Sequence, residues 1–222
     1  MDQKILEALK KCPLFVGMTT TEIEIDMSGV GYRLAKYDKH DIYALAGMPC
    51  RYADIVIDGT LICRMSSISG KQVEVSRLRA GNLVAPAFLF GKENVMPVGV
   101  ETDTEVTVLR MRKEEFSKLL RNNWQLTENF VRVLSNINVF LTRRMRVLSL
   151  FTVREKVAWL LLERAGEQGS STIHLYRSRQ EIADSFGIQK FSLLRVLADL
   201  QKEGAIKIKG KEITILDRSK IK

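Results

Sequence analysis

The stretch from Ser178 to Leu216 constrains the fold of this 222-residue chain more than any other, because it sets several individually weak signals in one fixed order. Ser178 offers a capping side chain and Glu181 follows three residues on, the pair that satisfies two backbone donors at a helix start. Ile182 falls on the inner face, and Ala183 stands where a larger side chain would push two crossing helices apart. Gly187 admits the left-handed backbone of a tight interhelical turn. A second helix is predicted from about Gln189, with Leu193, Val196, Leu197 and Leu200 inward and Glu203-Gly204 at its end. Two short strands around Gly210 follow, carrying Lys207, Lys209 and Lys211. Helix, glycine turn, helix and basic hairpin, in that order, predict a winged helix-turn-helix that reads duplex DNA.

The outward residues at the start of the second helix are Gln189, Lys190, Phe191, Ser192 and, one turn on, Arg195. Such a helix enters the major groove N-terminus first, so these are the candidate readers. Arg195 has the fork that matches guanine, Gln189 can address adenine, and Lys190 can reach guanine or phosphate. Phe191 is read two ways, as a partner for a thymine methyl or as part of the domain core. Arg179 and Gln180, at the start of the first helix, are placed for backbone phosphates, as are the wing residues Lys209 and Lys211.

Upstream the texture differs. Residues 113–120 predict a short helix stopping near Asn122-Asn123, and a long helix starts at about Trp124. Within it Phe130, Leu134, Ile137, Leu141, Arg144 and Leu148 are spaced 4, 3, 4, 3, 4, a heptad seam that predicts pairing with another helix, Arg144 being a polar defect in it. Residues 152–166 predict a further helix with Val153, Val157, Leu160 and Leu161 inward, ended by Gly166. Ahead of all this, residues 32–111 are short alternating runs with turns at Asp58-Gly59, Ser69-Gly70 and Ala80-Gly81, which predict an antiparallel sandwich or barrel. Helices are expected at Asp2–Lys11 and Thr20–Ser28, the second capped from within Thr20-Thr21-Glu22. The expected organisation is therefore a sensor at 1–112, a helical connector and dimerisation helix at 113–150, and a DNA-binding domain at 151–222.

The net charge of +9 is unevenly spread. Residues 1–111 carry −1, residues 112–150 carry +5 and residues 151–222 carry +5, so a polyanion partner is expected for the back half alone. Cys12, Cys50 and Cys63 are odd in number and widely spaced, which predicts reduced thiols packed as small apolar groups. No apolar run approaches the roughly 20 residues of a membrane span, and the N-terminus lacks the features of a signal peptide, so no membrane partner and a cytoplasmic location are expected.

The run SRQEIADSFGIQKFSLLRVLADLQKEGAI resembles the DNA-binding signature of the CRP/FNR family of bacterial transcription regulators, and the likeness extends over essentially the whole chain. It implies an α+β architecture: an N-terminal antiparallel β-roll (a double-stranded β-helix of the cyclic-nucleotide-binding type), a long dimerisation helix and a C-terminal winged helix-turn-helix. It also implies a homodimer on a palindromic operator and RNA polymerase as a partner, as for an activator. Two departures stand out. The Arg-Glu pair common in the family's recognition helix is Lys190-Phe191 here, so the operator is expected to differ. The ribose-binding glutamate of cyclic-nucleotide binders falls at Pro86, and their phosphate-gripping pair falls at Asn94-Val95. A cyclic phosphate needs a positive partner and a donor, so cyclic AMP is not expected.

Iron–sulfur members of the family need four cysteines, mostly clustered near the N-terminus, and three scattered ones do not supply them. Heme-binding members place the group in the sensor beside the long helix. Here Met48, Met65, Met96, Met111 and Met145, with His40, Cys50 and Cys63, are candidate iron ligands, although taken individually the methionines read better as side chains filling a core. A pocket of Met65, Pro86, Phe88, Asn94, Val95, Met96, Leu141 and Met145, with Phe90 nearby, would suit a flat apolar ligand, so heme is the leading candidate effector, and the chain resembles the HcpR-like, heme- and nitric-oxide-sensing subgroup without a motif that singles it out. The alternative is a regulator without a small ligand, set by expression level or by thiol redox at a cysteine such as Cys50. An enzyme is not expected, since His40 and His174 stand alone, with no nucleophile elbow or phosphate loop.

Overall fold

The computed structural model describes residues 1–66, 70 and 72–221, and it divides the chain into two compact units, Met1–Val139 and Phe140–Lys222. In the first, helix α1 (Gln3–Lys11) is capped by Asp2, and α2 (Thr20–Ser28) by Thr19, one residue ahead of the expected cap, in a box with Glu22. Eight strands follow: β1 (Tyr32–Tyr37), β2 (Ile42–Ala44), β3 (Tyr52–Asp58), β4 (Leu61–Ser66), β5 (Gln72–Leu78), β6 (Leu83–Val84), β7 (Gly99–Thr102) and β8 (Val106–Arg112). They pair antiparallel in two sheets, ordered β1-β8-β3-β6 and β2-β7-β4-β5. This is the predicted β-roll. Its β3–β4 turn depends on Gly59, at φ +83, where a Cβ would lie 2.0 Å from Glu105 O. The turn expected at Ser69-Gly70 lies partly outside the described residues.

Ile55 and Val56 of β3 and Val108 and Leu109 of β8 are wholly buried, and α1 closes the core with Ile5 and Leu9. The same core holds one charge cluster that no periodicity announced. Asp54 on β3 is 1% exposed and takes both Nε and Nη2 of Arg110 on β8, while the Tyr43 hydroxyl also donates to it. The Arg110 guanidinium lies over the rings of Tyr37, Tyr43 and Tyr52, at 5.8, 5.6 and 4.9 Å. Arg110 is held above its usual range because Asp54 outweighs the cost of burial, and burial beside Asp54 pushes the Tyr43 phenol upward.

Helix α3 (Lys113–Asn122) leads into α4 (Trp124–Leu150), a single helix of 27 residues. Its first turns belong to the first unit. There Phe130 is 6% exposed and meets Phe116 edge-on at 5.3 Å, and Leu134 packs on the same core. Phe130 is therefore a core residue and not part of an open seam. Of the expected row Leu141 and Leu148 are exposed and Ile137 is half-buried, while Val131 and Met145, one position beyond Phe130 and Arg144, are exposed as well.

In the second unit α5 (Val153–Gln168) is capped by Thr152 with Glu155 and ends at Gly169, at φ +59. Gly166 lies inside the helix, contrary to expectation, because the carbonyl of Ala165 accepts the closing Gly169 and Ser170 N–H bonds. Strand β9 (Thr172–His174), helices α6 (Arg179–Ser185) and α7 (Lys190–Lys202), and strands β10 (Ile206–Lys209) and β11 (Glu212–Ile215) complete the chain. The sheet order is β10-β11-β9, so the predicted hairpin gains a third strand. Leu161, Ile173, Ala183, Leu200 and Ile213 are buried at its core.

Candidate functional site

The site is built around the turn between α6 and α7. Ser178 and Glu181 form the expected capping box at the start of α6, and Ile182 and Ala183 are buried. At the other end Gly187 stands at φ +63, its N–H donates to Asp184 O at 3.1 Å, and the Ile188 N–H donates to Ala183 O at 3.0 Å. That pair of bonds is a Schellman closure, which only a residue free to adopt positive φ completes without strain. It aims α7 away from α6 within four residues.

Helix α7 begins at Gln189, which makes no side-chain cap, and its first turn holds no acidic residue. The N-terminal amides are therefore left for an outside acceptor, and the helix dipole favours an anion there. Leu193, Leu197 and Leu200 turn inward. Gln189, Lys190, Phe191 and Arg195 are exposed and Ser192 is half-buried, all within the first two turns. Phe191 is 82% exposed, which removes the core reading of that residue. Among the described residues Lys190 and Arg195 form no ion pair and no side-chain hydrogen bond.

Other predicted contacts are placed differently. Gln180 is exposed but donates to Asp184 at 3.0 Å, four residues along α6. Arg179 is half-buried, and its Nη2 donates to Gly210 O at the wing tip at 3.1 Å. Burial holds its guanidinium below the ordinary value, and no carboxylate offsets this. It borders an open groove of about 580 Å³ shared with Leu194, Ala198, Gln201 and Lys202 of α7 and Ile208 of the wing. Lys209 and Lys211 flank Gly210 and are exposed. Arg144, expected in the helix seam, turns into its own unit, donating through Nη2 to Ser185 O at 2.8 Å.

The candidate effector residues are divided between the units. In the first, Pro86, Phe88 and Asn94 are half-buried, Met96 is in the core, and Met65 and Val95 are exposed. Leu141 and Met145 belong to the second unit and are exposed. The segment starts from Ala85 at φ +47, a strained value for a non-glycine residue, and Phe88 N–H closes one turn on Ala85 O. The candidate iron donors do not suit a heme. Met111, Met96, Cys50 and Cys63 face the core, Met48 Sδ accepts from Leu45 N–H, and His40 and Met65 are exposed. Burial pushes the Cys12 thiol up to about 12 and raises Cys50 and Cys63, so these groups are held as thiols whereas iron and redox partners need thiolates. Among the described residues no cluster of three histidine, cysteine or acidic side chains is arranged for a metal, and no helix is long and apolar enough to cross a membrane.

Residues 155–222 match the Crp-like helix-turn-helix domain, and residues 34–123 match the cyclic nucleotide-binding domain. The chain is 21% identical over 187 residues to the cAMP-activated global transcriptional regulator Vfr of Pseudomonas aeruginosa, covering 81% of this chain and 87% of that one. It is 23% identical over 190 residues to the cAMP-activated global transcriptional regulator CRP of Haemophilus influenzae, covering 82% and 83%. Among solved structures, FixK2 from Bradyrhizobium japonicum aligns with a TM-score of 0.64 at 18% identity, over 86% of this chain and 96% of that one. A CooA variant from Carboxydothermus hydrogenoformans aligns with a TM-score of 0.69 at 18% identity, over 100% and 95%. The two matched domains, in this order and joined by the long helix, place the chain in the CRP/FNR family of DNA-binding transcription regulators.

Proposed function

We propose that the protein is a homodimeric, sequence-specific regulator, cytoplasmic and not an enzyme, whose α7 reads the major groove of a palindromic operator. The supporting observation is the uncapped, acid-free start of α7 with Lys190, Phe191 and Arg195 standing out from it. Arg195 addresses guanine, Gln189 adenine, and Phe191 the methyl of thymine, with Ser192 beside them. Lys209 and Lys211 meet phosphates, while Gln180 and Arg179 support the backbone contact from α6. The dimer seam in this reading is the exposed Val131, Leu141, Met145 and Leu148 of α4 with the half-buried Leu134, and the partner is a second copy. RNA polymerase is the further partner, as expected of an activator.

The control signal in this reading is not cyclic AMP, although the curated relatives named above are cAMP-activated. Pro86, Asn94 and Val95 stand where a glutamate, a cation and a hydroxyl would be needed, and none of the three supplies them. The heme and nitric-oxide reading loses support from the scatter of its iron donors, and thiol control from the raised cysteine pKa values. An effector of another class in the first unit is the reading retained.

The test begins with duplexes selected by the full-length protein from a randomised pool. Lys190→Ala and Arg195→Ala are each expected to weaken binding to the selected duplex by about 1–3 kcal/mol and to relax preference at the base read. Unchanged binding in both variants removes the assigned face. Millimolar cyclic AMP is expected to leave the affinity as it was, and a tenfold gain would restore the cyclic-nucleotide reading.

A further inference from the structure

Four carbonyls at the end of a helix lack partners within it, and at the end of α6 two of them are met by cations from other helices. The Schellman closure uses Ala183 O and Asp184 O. Ser185 O takes Arg144 Nη2 from α4 at 2.8 Å, and Phe186 O takes Lys156 Nζ from α5 at 3.4 Å. The Arg144 guanidinium also lies over the rings of Phe186 and Trp159, at 4.8 and 5.6 Å, and those rings meet edge to face at 6.0 Å. Glu163 is close enough to act on Arg144, yet among the described residues the guanidinium bonds a carbonyl and pairs with no carboxylate. Two cations on a helix C-terminus are favoured by its dipole, and a planar guanidinium wedged between rings fixes direction as well as distance.

The clamp lies immediately before the residues proposed to read DNA. Phe186 is followed by Gly187, Ile188 and then Gln189, the first residue of the reading face. On α4 itself Arg144 is flanked by the exposed Leu141, Met145 and Leu148. One turn of helix therefore presents an apolar row outward and a guanidinium inward.

We infer that Arg144 is a positioning residue: it locks the α6–α7 turn to the last turns of α4, so that the setting of α4 determines where the start of α7 points. The inference rests on the reading that α7 contacts DNA and α4 pairs with a second copy. It differs from a seam role for Arg144, since the contact lies within one chain. A change in α4 packing moves the clamp, and the clamp moves Gln189, Lys190 and Phe191 together. Lys156 holds the neighbouring carbonyl from α5 and keeps the turn closed when Arg144 is altered, so loss of Arg144 misaims α7 without unfolding it.

The experiment compares a duplex selected by the wild type with a shuffled one, using full-length wild type, Arg144→Met, Arg144→Lys and the exposed neighbour Arg143→Met. The ratio of specific to non-specific affinity, at fixed salt, is the readout. Arg144→Met is expected to lower the ratio about tenfold or more, with non-specific affinity unchanged because Lys209 and Lys211 are untouched. Arg144→Lys retains the charge but not the planar fork and falls between, and Arg143→Met matches wild type. In a Trp124→Phe background Trp159 is the remaining tryptophan, and its emission is expected to change with Arg144→Met and not with Arg143→Met. An unchanged ratio, or an equal fall in both affinities, overturns the clamp. Should Arg144→Met unfold the unit, an Arg144→Lys ratio equal to wild type does the same. Failure of the wild type to enrich any duplex overturns the DNA reading and the clamp with it, and that outcome is read from the wild type alone.

Discussion

Several cations are used differently in the two units. In the first, Arg110 is bound to the buried Asp54, Arg64 to Glu101, and Arg77 to both Glu74 and Asp103. In the second, Arg154 and Arg164 follow that habit with Glu203 and Glu167, but Arg144, Lys156 and Arg179 rest on backbone carbonyls. Lys190, Arg195, Lys209 and Lys211 stand in solvent. Charge compensated inside a fold, by a carboxylate or by carbonyls, serves that fold, whereas charge left in water is free to meet a polyanion. The difference teaches that the partners of individual cations, and not their count alone, decide which of them remain available to a ligand.

Three measurements sharpen or break this contrast. The largest effect is expected from Arg110→Met, which strands the Asp54 carboxylate in the core and costs roughly 3–5 kcal/mol of stability by denaturant melting. DNA affinity measured on the folded fraction should not change. A loss below 1 kcal/mol would mean that the first unit does not depend on its internal pairing. Next, the raised thiol pKa of Cys12 gives a pH effect of known sign. In the folded chain the proton stays on until about 12, whereas the unfolded thiol releases it near 9.0, so the unfolded state is favoured as pH rises through that window. Stability should fall by about 1.4 kcal/mol per pH unit more in the wild type than in Cys12→Ala, and parallel curves would show the thiol titrating alike in both states. The smallest effect is expected in the wing. Lys209→Ala and Lys211→Ala should weaken all duplexes alike and each reduce the log–log salt slope by about 1. A sequence-dependent loss would make the wing a base reader instead.

Legibility from the sequence follows the same division. Ser178 with Glu181, Gly187 and Gly204 act on bonds a few residues away, and the helices and turn they define stand within a residue or two of expectation. The outward face of α7 was legible for the same reason, since inward Leu193, Leu197 and Leu200 leave Gln189, Lys190 and Arg195 outward by helical period alone. Phe191 was ambiguous because an aromatic side chain suits either face, and only the packing put it outside. Gly166 was mistaken for a helix end because a glycine is tolerated inside a helix when a better cap, here Gly169, follows.

The order of elements, their ends and the outward face of α7 follow from local order in the chain, all consequences of hydrogen bonds and periodicities spanning fewer than about ten residues. Side chains whose partners lie far along the chain acquired their roles through packing. A 27-residue helix carries apolar side chains on more than one face, so the choice between Phe130 and Val131 as the outward residue depends on what Phe116 and Phe90 occupy. Arg144 meets Ser185 across 41 residues and Arg110 meets Asp54 across 56. Spacing along the chain holds no record of such contacts, because they are selected by the burial of a charge and the need for a partner once the surrounding elements have packed.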